Sequence, residues 1–408
     1  MTFATLALIC AVALIGPLLA APRGLPVLVV VGELAVGVIL GTTGFGILDP
    51  HDTTFELFAD IGFALVMFVA GSSVPLVDST LRRGVGIGAL RAGIVGAVAL
   101  PLGFGLDALF GTGHGPLYAV LIASSSAAFI VPALKGGSTD DGERFSETGE
   151  PEHDPRLPPE PGTIGKTVAQ LLPQVAIADA VCILLLPLAI DPPRAGTAAM
   201  GALLVIAAAA AVFGVLWWTE RTGARKRVKR VSEDRGLAIE LRASLAILFA
   251  LAAIATWSQV SIMLAGFAFG LAVAAVGPPR RLTKQLFALT EGFFAPIFYV
   301  WLGASLGLRS LFEHPESILL GFALGVAAVV AHAAGVVTRQ RPSAAILTSA
   351  QLGVPIAAAT TGLSLGVFDP GEDASLLLSA IVTIAVCTLA AVRVNRAQRR
   401  DAEDAGSG

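Results

Sequence analysis

Residues 171–190 read LLPQVAIADAVCILLLPLAI, in which one acid, Asp179, stands among apolar side chains. A helix of about 20 apolar residues crosses a hydrocarbon core roughly 30 Å thick. In lipid every backbone polar group needs a partner within the protein, and an α-helix pairs these groups within one segment. The run therefore predicts a membrane-spanning helix that carries one buried carboxylate.

The chain on either side of this run has the same character. Of its 408 residues, 55% are hydrophobic and only 14% are charged, which is too little charge for a soluble protein of this size. We predict an all-α polytopic membrane protein with about 13 transmembrane helices, since the short alternating segments of a β-barrel are missing from the sequence. The predicted spans lie near residues 3–20, 25–43, 54–74, 85–106, 115–134, 165–190, 197–219, 240–257, 259–276, 286–308, 316–338, 343–367 and 375–394.

A polar segment divides the chain into two transmembrane parts. Residues 135–163 are acidic, rich in proline and poor in large apolar side chains, so they are expected to form a disordered cytoplasmic loop, either a linker or a regulatory element. Five predicted helices precede this loop in residues 1–134, and eight follow it in residues 164–394. Residues 395–408 are expected to form a short cytoplasmic tail.

The basic residues are distributed unevenly among the loops. With the N-terminus outside and an odd number of spans, 24 of the 27 Lys and Arg residues face the cytoplasm, and only Arg194 and Arg309 lie outside. Cytoplasmic loops of membrane proteins are enriched in Lys and Arg. The pattern indicates a cytoplasmic (inner) membrane protein with its C-terminus in the cytoplasm. The basic run 221–230 suits contact with anionic membrane lipid, and no nucleic-acid partner is needed to explain it.

Charged side chains within predicted spans are candidate functional residues, because a charge in the membrane is costly. Asp60 and Glu291 lie near helix ends and are expected to be structural, whereas Glu33 and Arg91 lie deeper and could pair with each other or with backbone carbonyls. Asp179 has no basic residue within a dozen positions. Burial therefore favours its neutral form and lets a proton and a cation compete for one site. The alternative is a protonated Asp179 that only hydrogen-bonds to a neighbouring helix.

Two predicted spans combine polar side chains with a proline in the helix interior. They read ASSSAAFIVPALKGG at residues 123–137 and TSAQLGVPIAAATTGLSLG at residues 348–366. A proline frees a backbone carbonyl, and broken helices present such carbonyls and their dipole ends at the bilayer centre. One such segment could be a simple kink, but two in comparable places predict a substrate site. Its candidate residues are Ser125, Ser126, Pro132, Gln351 and Pro355.

Two further features concern the second half of the chain. His332 lies in the middle of GVAAVVAHAAGVVTRQ, residues 325–340, and a lone histidine in a membrane is either a packing donor or a functional group. The segments FVAGSSVPL at 68–76 and VWLGASLGL at 300–308 are weakly similar. They belong to helices seven spans apart, which run in opposite directions as an inverted-topology repeat requires.

The chain resembles the monovalent cation:proton antiporter superfamily, in the branch of bacterial sodium/proton and potassium-efflux antiporters. The resemblance is carried by ELAVGVILGTTGFGIL at 33–48, LFADIGFALVMFVAGSSVPL at 57–76 and FFAPIFYVWLGASLGL at 293–308. It implies inverted repeats with two crossed broken helices, and a core bundle beside a dimerisation bundle, hence a homodimer. It also implies that Asp179 is the central carboxylate and that His332 stands where the family usually has a lysine.

These features predict a secondary active antiporter that exchanges Na⁺ or K⁺ for H⁺ by alternating access. The predicted ion and proton ligands are Asp179, Ser125, Ser126, His332 and Gln351, with no cofactor and no metal beyond the transported cation. One carboxylate that swaps a proton for a cation moves no net charge, so exchange is expected to be electroneutral unless His332 also releases a proton.

Two other functions stay open, namely a non-exchanging sensor or scaffold whose 135–163 loop binds a cytoplasmic partner, and a sodium-coupled organic anion symporter. An enzyme is not expected, because the sequence has no nucleophile motif, metal-ligand cluster or phosphate loop.

Overall fold

The computed structural model of the chain consists of helices and short turns. It describes residues 2–20, 27–72, 74, 79–126, 163–223, 237–277, 280–306, 311 and 313–406, and these ranges contain no β-strand. The helices of the first half are α1 (Phe3–Ala13), α2 (Ile15–Ala20), α3 (Val27–Leu40), α4 (Thr53–Ser72), α5 (Ser79–Phe110), α6 (Gly115–Ala123) and α7 (Thr163–Ile190). Those of the second half are α8 (Ala195–Arg221), α9 (Ile239–Trp257), α10 (Ile262–Val276), α11 (Arg280–Leu289), α12 (Ala295–Ser305), α13 (Pro315–Ala333), α14 (Pro342–Leu347), α15 (Gly353–Leu365) and α16 (Glu372–Gly406).

The helices lie where the sequence predicts membrane spans. Among the described residues, eight helices are long and apolar enough to cross a membrane, and four apolar helices are shorter. The all-α polytopic class is therefore confirmed. The total of 13 stays a prediction, because the span predicted at 115–134 is described only as far as residue 126. The loop predicted at 135–163 also lies outside the described residues, except for its last residue.

The last helix is longer than predicted. It extends to Gly406, into the segment that the sequence analysis assigned to a short tail. Residues 393–405 read RVNRAQRRDAEDA and contain neither proline nor glycine, and several of them are strong helix formers, so nothing local ends the helix.

The helices pack as two bundles joined by α8. The first bundle contains α1 to α4 and α9 to α12, and the second contains α5 to α7 and α13 to α16. Helix α8 contacts α10 in the first bundle and α7 in the second. A continuous apolar core runs through both bundles, in which Phe63 of α4 stacks on Phe298 of α12 with ring centroids 4.8 Å apart. The division into two bundles agrees with the core bundle and the dimerisation bundle that the resemblance implies.

The first bundle contains two close helix crossings with the same kind of glycine contact. Gly37 of α3 faces Gly303 of α12, and Gly71 of α4 faces Gly270 of α10. At each of these glycines a Cβ atom would overlap a backbone carbonyl of the opposite helix, so only glycine permits the approach. In the predicted repeat α3 corresponds to α10 and α4 to α12. The two crossings are therefore the same contact in two copies, as an inverted repeat predicts.

Candidate functional site

Helical structure stops at both polar segments of the second bundle, and we call these two points the breaks. Helix α6 ends at Ala123, and Ser124 has the extended angles φ −71° and ψ 155°. Helix α14 ends at Leu347, residues 348–352 are not helical, and α15 begins at Gly353. Within the described residues, helices therefore lie on both sides of the second break, and the first break is described up to Ser126. Each break exposes backbone groups that have no partner within a helix.

Pro355 does not lie in a helix interior, which corrects the prediction. It is the third residue of α15, in the first turn, where a missing N–H leaves no helical hydrogen bond unmade. Its ring excludes a helical partner for the carbonyl four residues earlier, so the chain unwinds before Pro355 rather than at it. The other predicted proline, Pro132, lies outside the described residues.

Hydrogen bonds join the two breaks to each other. The hydroxyl of Ser125 donates to the carbonyl of Thr348 at 2.6 Å. In the opposite direction, Nε2 of Gln351 donates to the carbonyl of Leu121 at 2.5 Å. Each segment therefore supplies a side chain that donates to a backbone carbonyl of the other. The Leu121 carbonyl also accepts from the N–H and the hydroxyl of Ser124. Ser126 is buried in the same unwound segment as Ser125.

His332 of α13 lies against both breaks. Its Nε2 is 3.1 Å from the carbonyl oxygen of Ser124, and its Nδ1 is 2.9 Å from the hydroxyl oxygen of Thr348. The imidazole is fully buried. Because a carbonyl only accepts hydrogen bonds, Nε2 must carry a hydrogen. His332 thus links the two breaks through one hydrogen bond to each of them.

The hydroxyl of Thr348 suits both charge states of this histidine. When His332 is neutral, its Nδ1 is an acceptor and the Thr348 hydroxyl can donate to it. When His332 is protonated, Nδ1 donates to the hydroxyl oxygen, and the hydroxyl hydrogen can turn to the carbonyl of Ala345 at 2.7 Å. His332 could therefore gain or lose a proton without leaving a buried polar group unpaired.

Asp179 lies on α7, the helix that also carries Gln174. Its side chain is buried, and in the described part of the chain its carboxylate has no hydrogen-bond or ion-pair partner. The same helix reaches the crossing through Gln174, whose Nε2 donates to the Thr348 hydroxyl at 3.3 Å and whose Oε1 accepts from Gln340 at 3.1 Å. Five residues separate Gln174 from Asp179, which is about 7.5 Å along a helix axis.

The other intramembrane charges lie apart from the crossing. Glu33 is buried in the first bundle, Asp60 is half-buried on α4, and Glu291 is exposed in a short π-helical turn before α12. Arg91 and Glu33 do not pair, since they belong to different bundles. Nε of Arg91 instead donates to the hydroxyl of Thr338 at 2.9 Å.

The structure brings together most of the predicted site residues and adds some that the sequence analysis missed. Ser125, Gln351 and His332 meet through direct hydrogen bonds. Thr348 and Gln174 complete the network but were not selected from the sequence. Each stands within a segment that the analysis quoted, as a polar side chain among apolar ones, and this was the signal that could have identified them.

Inverted repeats with crossed broken helices are an architecture of secondary transporters, and this is the class that the fold and the site define. The family model for transmembrane sodium/hydrogen exchangers matches residues 10–394, so the chain belongs to the sodium/hydrogen exchanger family. The chain is thus a multi-pass membrane protein of a transporter family and not of an enzyme class.

Individual proteins are similar to this chain over most or part of its length. YjbQ of Bacillus subtilis, provisionally named a Na⁺/H⁺ antiporter, is 23% identical over 403 residues, covering 93% of this chain and 61% of YjbQ. The Na⁺/H⁺ antiporter NhaS5 of Synechocystis is 37% identical over 81 residues, 20% of this chain and 11% of NhaS5. The chain thus spans about three fifths of YjbQ and a tenth of NhaS5.

A solved structure has the same fold. The sodium proton antiporter MjNhaP1 from Methanocaldococcus jannaschii superposes with a TM-score of 0.58 at 16% sequence identity, and the match covers 96% of this chain and 95% of MjNhaP1.

Proposed function

We propose that this chain is a secondary active antiporter that exchanges a monovalent cation, Na⁺ or K⁺, for H⁺ by alternating access. Membership of the sodium/hydrogen exchanger family supports this reaction, and the names of YjbQ, NhaS5 and MjNhaP1 support Na⁺ as a substrate. The observation that carries the proposal is a buried carboxylate, Asp179, that has no hydrogen-bond or ion-pair partner among the described residues and lies on the helix that reaches Thr348 through Gln174.

Asp179 is the residue that carries the exchange. A buried carboxylate without a counter-charge is stable when it holds a proton or when it holds a cation, and one site cannot hold both. A dehydrated cation needs several oxygen ligands. The unwound segments at Ser125, Ser126 and Gln351 contain backbone carbonyls and polar side chains, and we assign these segments as the source of those oxygens.

Exchange through Asp179 alone is electroneutral, because one proton replaces one monovalent cation. The membrane potential acts on moved charge with about 2.3 kcal/mol per charge per 100 mV, so it would not drive such a cycle. The Thr348 hydroxyl supports an alternative in which His332 also loses and regains a proton, and the cycle is then electrogenic. Exchange rates in vesicles clamped at different potentials distinguish the two stoichiometries.

The arrangement in the membrane is part of the same proposal. The N-terminus lies outside and the C-terminus in the cytoplasm of an inner-membrane protein, which the distribution of basic residues supports. The first bundle is the surface through which two copies form a homodimer, and the second bundle moves against it. The segment 135–163 is a cytoplasmic linker between the two transmembrane parts, with regulation as its alternative role.

The decisive experiment measures the collapse of a pH gradient in proteoliposomes after addition of Na⁺, K⁺ or Li⁺. Asp179→Asn removes the ionisable group while keeping its size, and we expect it to abolish exchange with every cation. Asp60→Asn makes the same chemical change at a half-buried acid of the first bundle, and we expect it to retain exchange.

Exchange by Asp179→Asn at the wild-type rate would refute the proposal. Loss of exchange in both variants would remove the special role of Asp179, provided that both proteins elute as folded species.

A further inference from the structure

A small cleft of about 30 Å³ opens between the two bundles where α7 ends and α8 begins. Its second-bundle wall comprises the last turn of α7 and Thr361 of α15, and its first-bundle wall is the turn after α9, with Ser258 and Gln259. We call it the interbundle cleft. It lies on the boundary along which one bundle would move against the other.

A charged pair lines the interbundle cleft. Nε of Arg194 lies 3.3 Å from a carboxylate oxygen of Asp191, and the two side chains are 58% and 16% exposed. An ion pair in contact with water is weak and is screened by salt, so a mobile cation can compete with Arg194 for the carboxylate. Ser258, Gln259 and Thr361 line the same space. Their side chains carry neutral oxygens, which suit a cation that keeps part of its hydration shell.

The turn that carries this pair is held in place by its own sequence. Two prolines, Pro192 and Pro193, fix consecutive φ angles. The backbone N–H of Arg194 donates to the carbonyl of Asp191 at 2.9 Å, and the hydroxyl of Thr197 donates to the carbonyl of Arg194 at 2.8 Å. Both charges are therefore positioned before any ion arrives, which reduces the ordering that binding requires.

The interbundle cleft lies towards the C-terminal end of α7 from Asp179, on the same face of that helix. Leu186 and Ile190 line the cleft and follow Asp179 by seven and eleven residues, which is about two and three helical turns. The first of them lies about 10 Å from Asp179 along the axis. Both apolar side chains are buried, so they form a layer that separates the cleft from the acid.

We propose that the interbundle cleft is a loading site for a hydrated monovalent cation, with Asp191 as its ligand and Arg194 as the competing charge. The proposal rests on the proposed antiport and on the proposed orientation, which puts the cleft on the external side. A cation that displaces Arg194 stays bound at Asp191, separated from Asp179 by Leu186 and Ile190, until the second bundle moves. Arg194 therefore sets the external cation concentration at which the site fills.

The test compares right-side-out and everted membrane vesicles over a range of Na⁺ and K⁺ concentrations at constant ionic strength. Arg194→Gln frees Asp191, so the external half-saturating concentration is expected to fall roughly three- to tenfold, and Asp191→Asn is expected to raise it by a similar factor. Arg194→Lys keeps the charge and is expected to stay within about twofold of the wild type. On the cytoplasmic side all three variants are expected to match the wild type.

Shifts of the same sign in Arg194→Gln and Asp191→Asn, or equal shifts on both sides of the membrane, overturn the loading site. Wild-type half-saturation in both variants also overturns it and leaves the antiport standing. A wild-type protein that exchanges no cation refutes the antiport, and the loading site with it. If Asp191→Asn does not fold, the two Arg194 variants decide, because the proposal requires them to differ.

Discussion

At the residue scale, the Thr348 hydroxyl connects the two broken helices to their neighbours. It contacts Nδ1 of His332, Nε2 of Gln174 and the carbonyl of Ala345 at distances of 2.9, 3.3 and 2.7 Å. Thr348 is fully buried, so water cannot replace a lost partner. The position of the histidine and its freedom to change charge therefore both depend on this one hydroxyl.

We expect Thr348→Val to remove the hydroxyl while preserving the shape of the side chain. His332 and Gln174 then lose a partner in a buried site, and each unpaired group costs about 1–3 kcal/mol of folding free energy. Exchange is expected to fall roughly tenfold or more. Thr348→Ser retains the hydroxyl and is the matched control. Thermal unfolding in detergent and exchange in proteoliposomes measure the two effects, and an equal loss in both variants would contradict the assigned role.

The sequence predicted the residue types at this site better than their contacts. Ser125, Gln351 and His332 were selected because a polar side chain within a membrane span is costly and therefore indicates a function or a specific hydrogen bond. Thr348 satisfies the same description, and its hydroxyl also donates to the carbonyl of Ala345, a local bond that threonine side chains commonly make. Its contact with Gln174 joins positions 174 residues apart, and no local pattern encodes such a distance.

At the element scale, glycine determines how closely the helices of the first bundle approach. A Cβ atom on Gly303 of α12 would overlap the carbonyl of Leu34 and press on the backbone of Gly37 in α3. Association of helices in lipid depends on van der Waals packing rather than on a hydrophobic driving force. The distance between these two helices therefore contributes directly to stability.

We expect Gly303→Ala to force α3 and α12 apart and to cost about 1–3 kcal/mol, which is typical of overpacking. Gly96→Ala in α5 is the matched control, because a Cβ there meets no atom within 4 Å. Alanine favours helix over glycine by about 1 kcal/mol, so this control should be neutral or stabilising. Thermal unfolding of both purified variants checks the difference, and a control as unstable as Gly303→Ala would remove the packing explanation.

Helix positions were largely predictable, and the course of the chain at the breaks was not. The predicted boundary between the spans 240–257 and 259–276 is present as the turn between α9 and α10, where Gln259 has φ 56° and Ser261 caps α10 by accepting from the N–H of Met263 at 3.3 Å. Pro355, by contrast, was expected inside a helix and lies in a first turn. The sequence marks where a helix cannot be regular, but the surrounding packing selects which residues unwind.

At the scale of the whole molecule, a buried cluster joins the loop before α6 to the start of α16. Nδ1 of His114 lies 2.7 Å from Oε1 of Glu372, and the hydroxyl of Tyr118 donates to the same oxygen at 2.5 Å. The backbone N–H of Asp369 donates to the other carboxylate oxygen at 3.2 Å. The cluster thus connects segments 258 residues apart, so it contributes only when the whole fold is formed.

His114 lies in a loop outside the membrane-spanning segments. Its hydrogen bond to Glu372 raises its pKa above the ordinary value of 6.5, and burial opposes part of this rise. The negative charges of Glu372, Asp369 and Asp107 act in the same direction as the hydrogen bond. A histidine with a raised pKa stabilises the fold fully below its unfolded-state pKa, and this contribution is lost as pH rises through its folded-state pKa.

We therefore expect the stability advantage of the wild type over His114→Asn to be largest near pH 6 or below, and to decrease towards about pH 8.5. Thermal unfolding of both proteins across this pH range measures the advantage. Glu372→Gln removes the charge that raises the pKa, so in that background the advantage should depend much less on pH. A pH-independent difference with Glu372 present would show that His114 contributes only by packing.

The sequence by itself determined the membrane class, the positions of the spans and the identity of a buried acid. Lipid imposes these features one segment at a time, because each helix must pair its own backbone and is about as long as the bilayer is thick. Only the tertiary structure decided which polar groups meet. The hydrogen bond of Ser125 with Thr348 and that of His332 with Ser124 each join positions more than 200 residues apart. Such contacts arise from the packing of helices and leave no local trace in the chain.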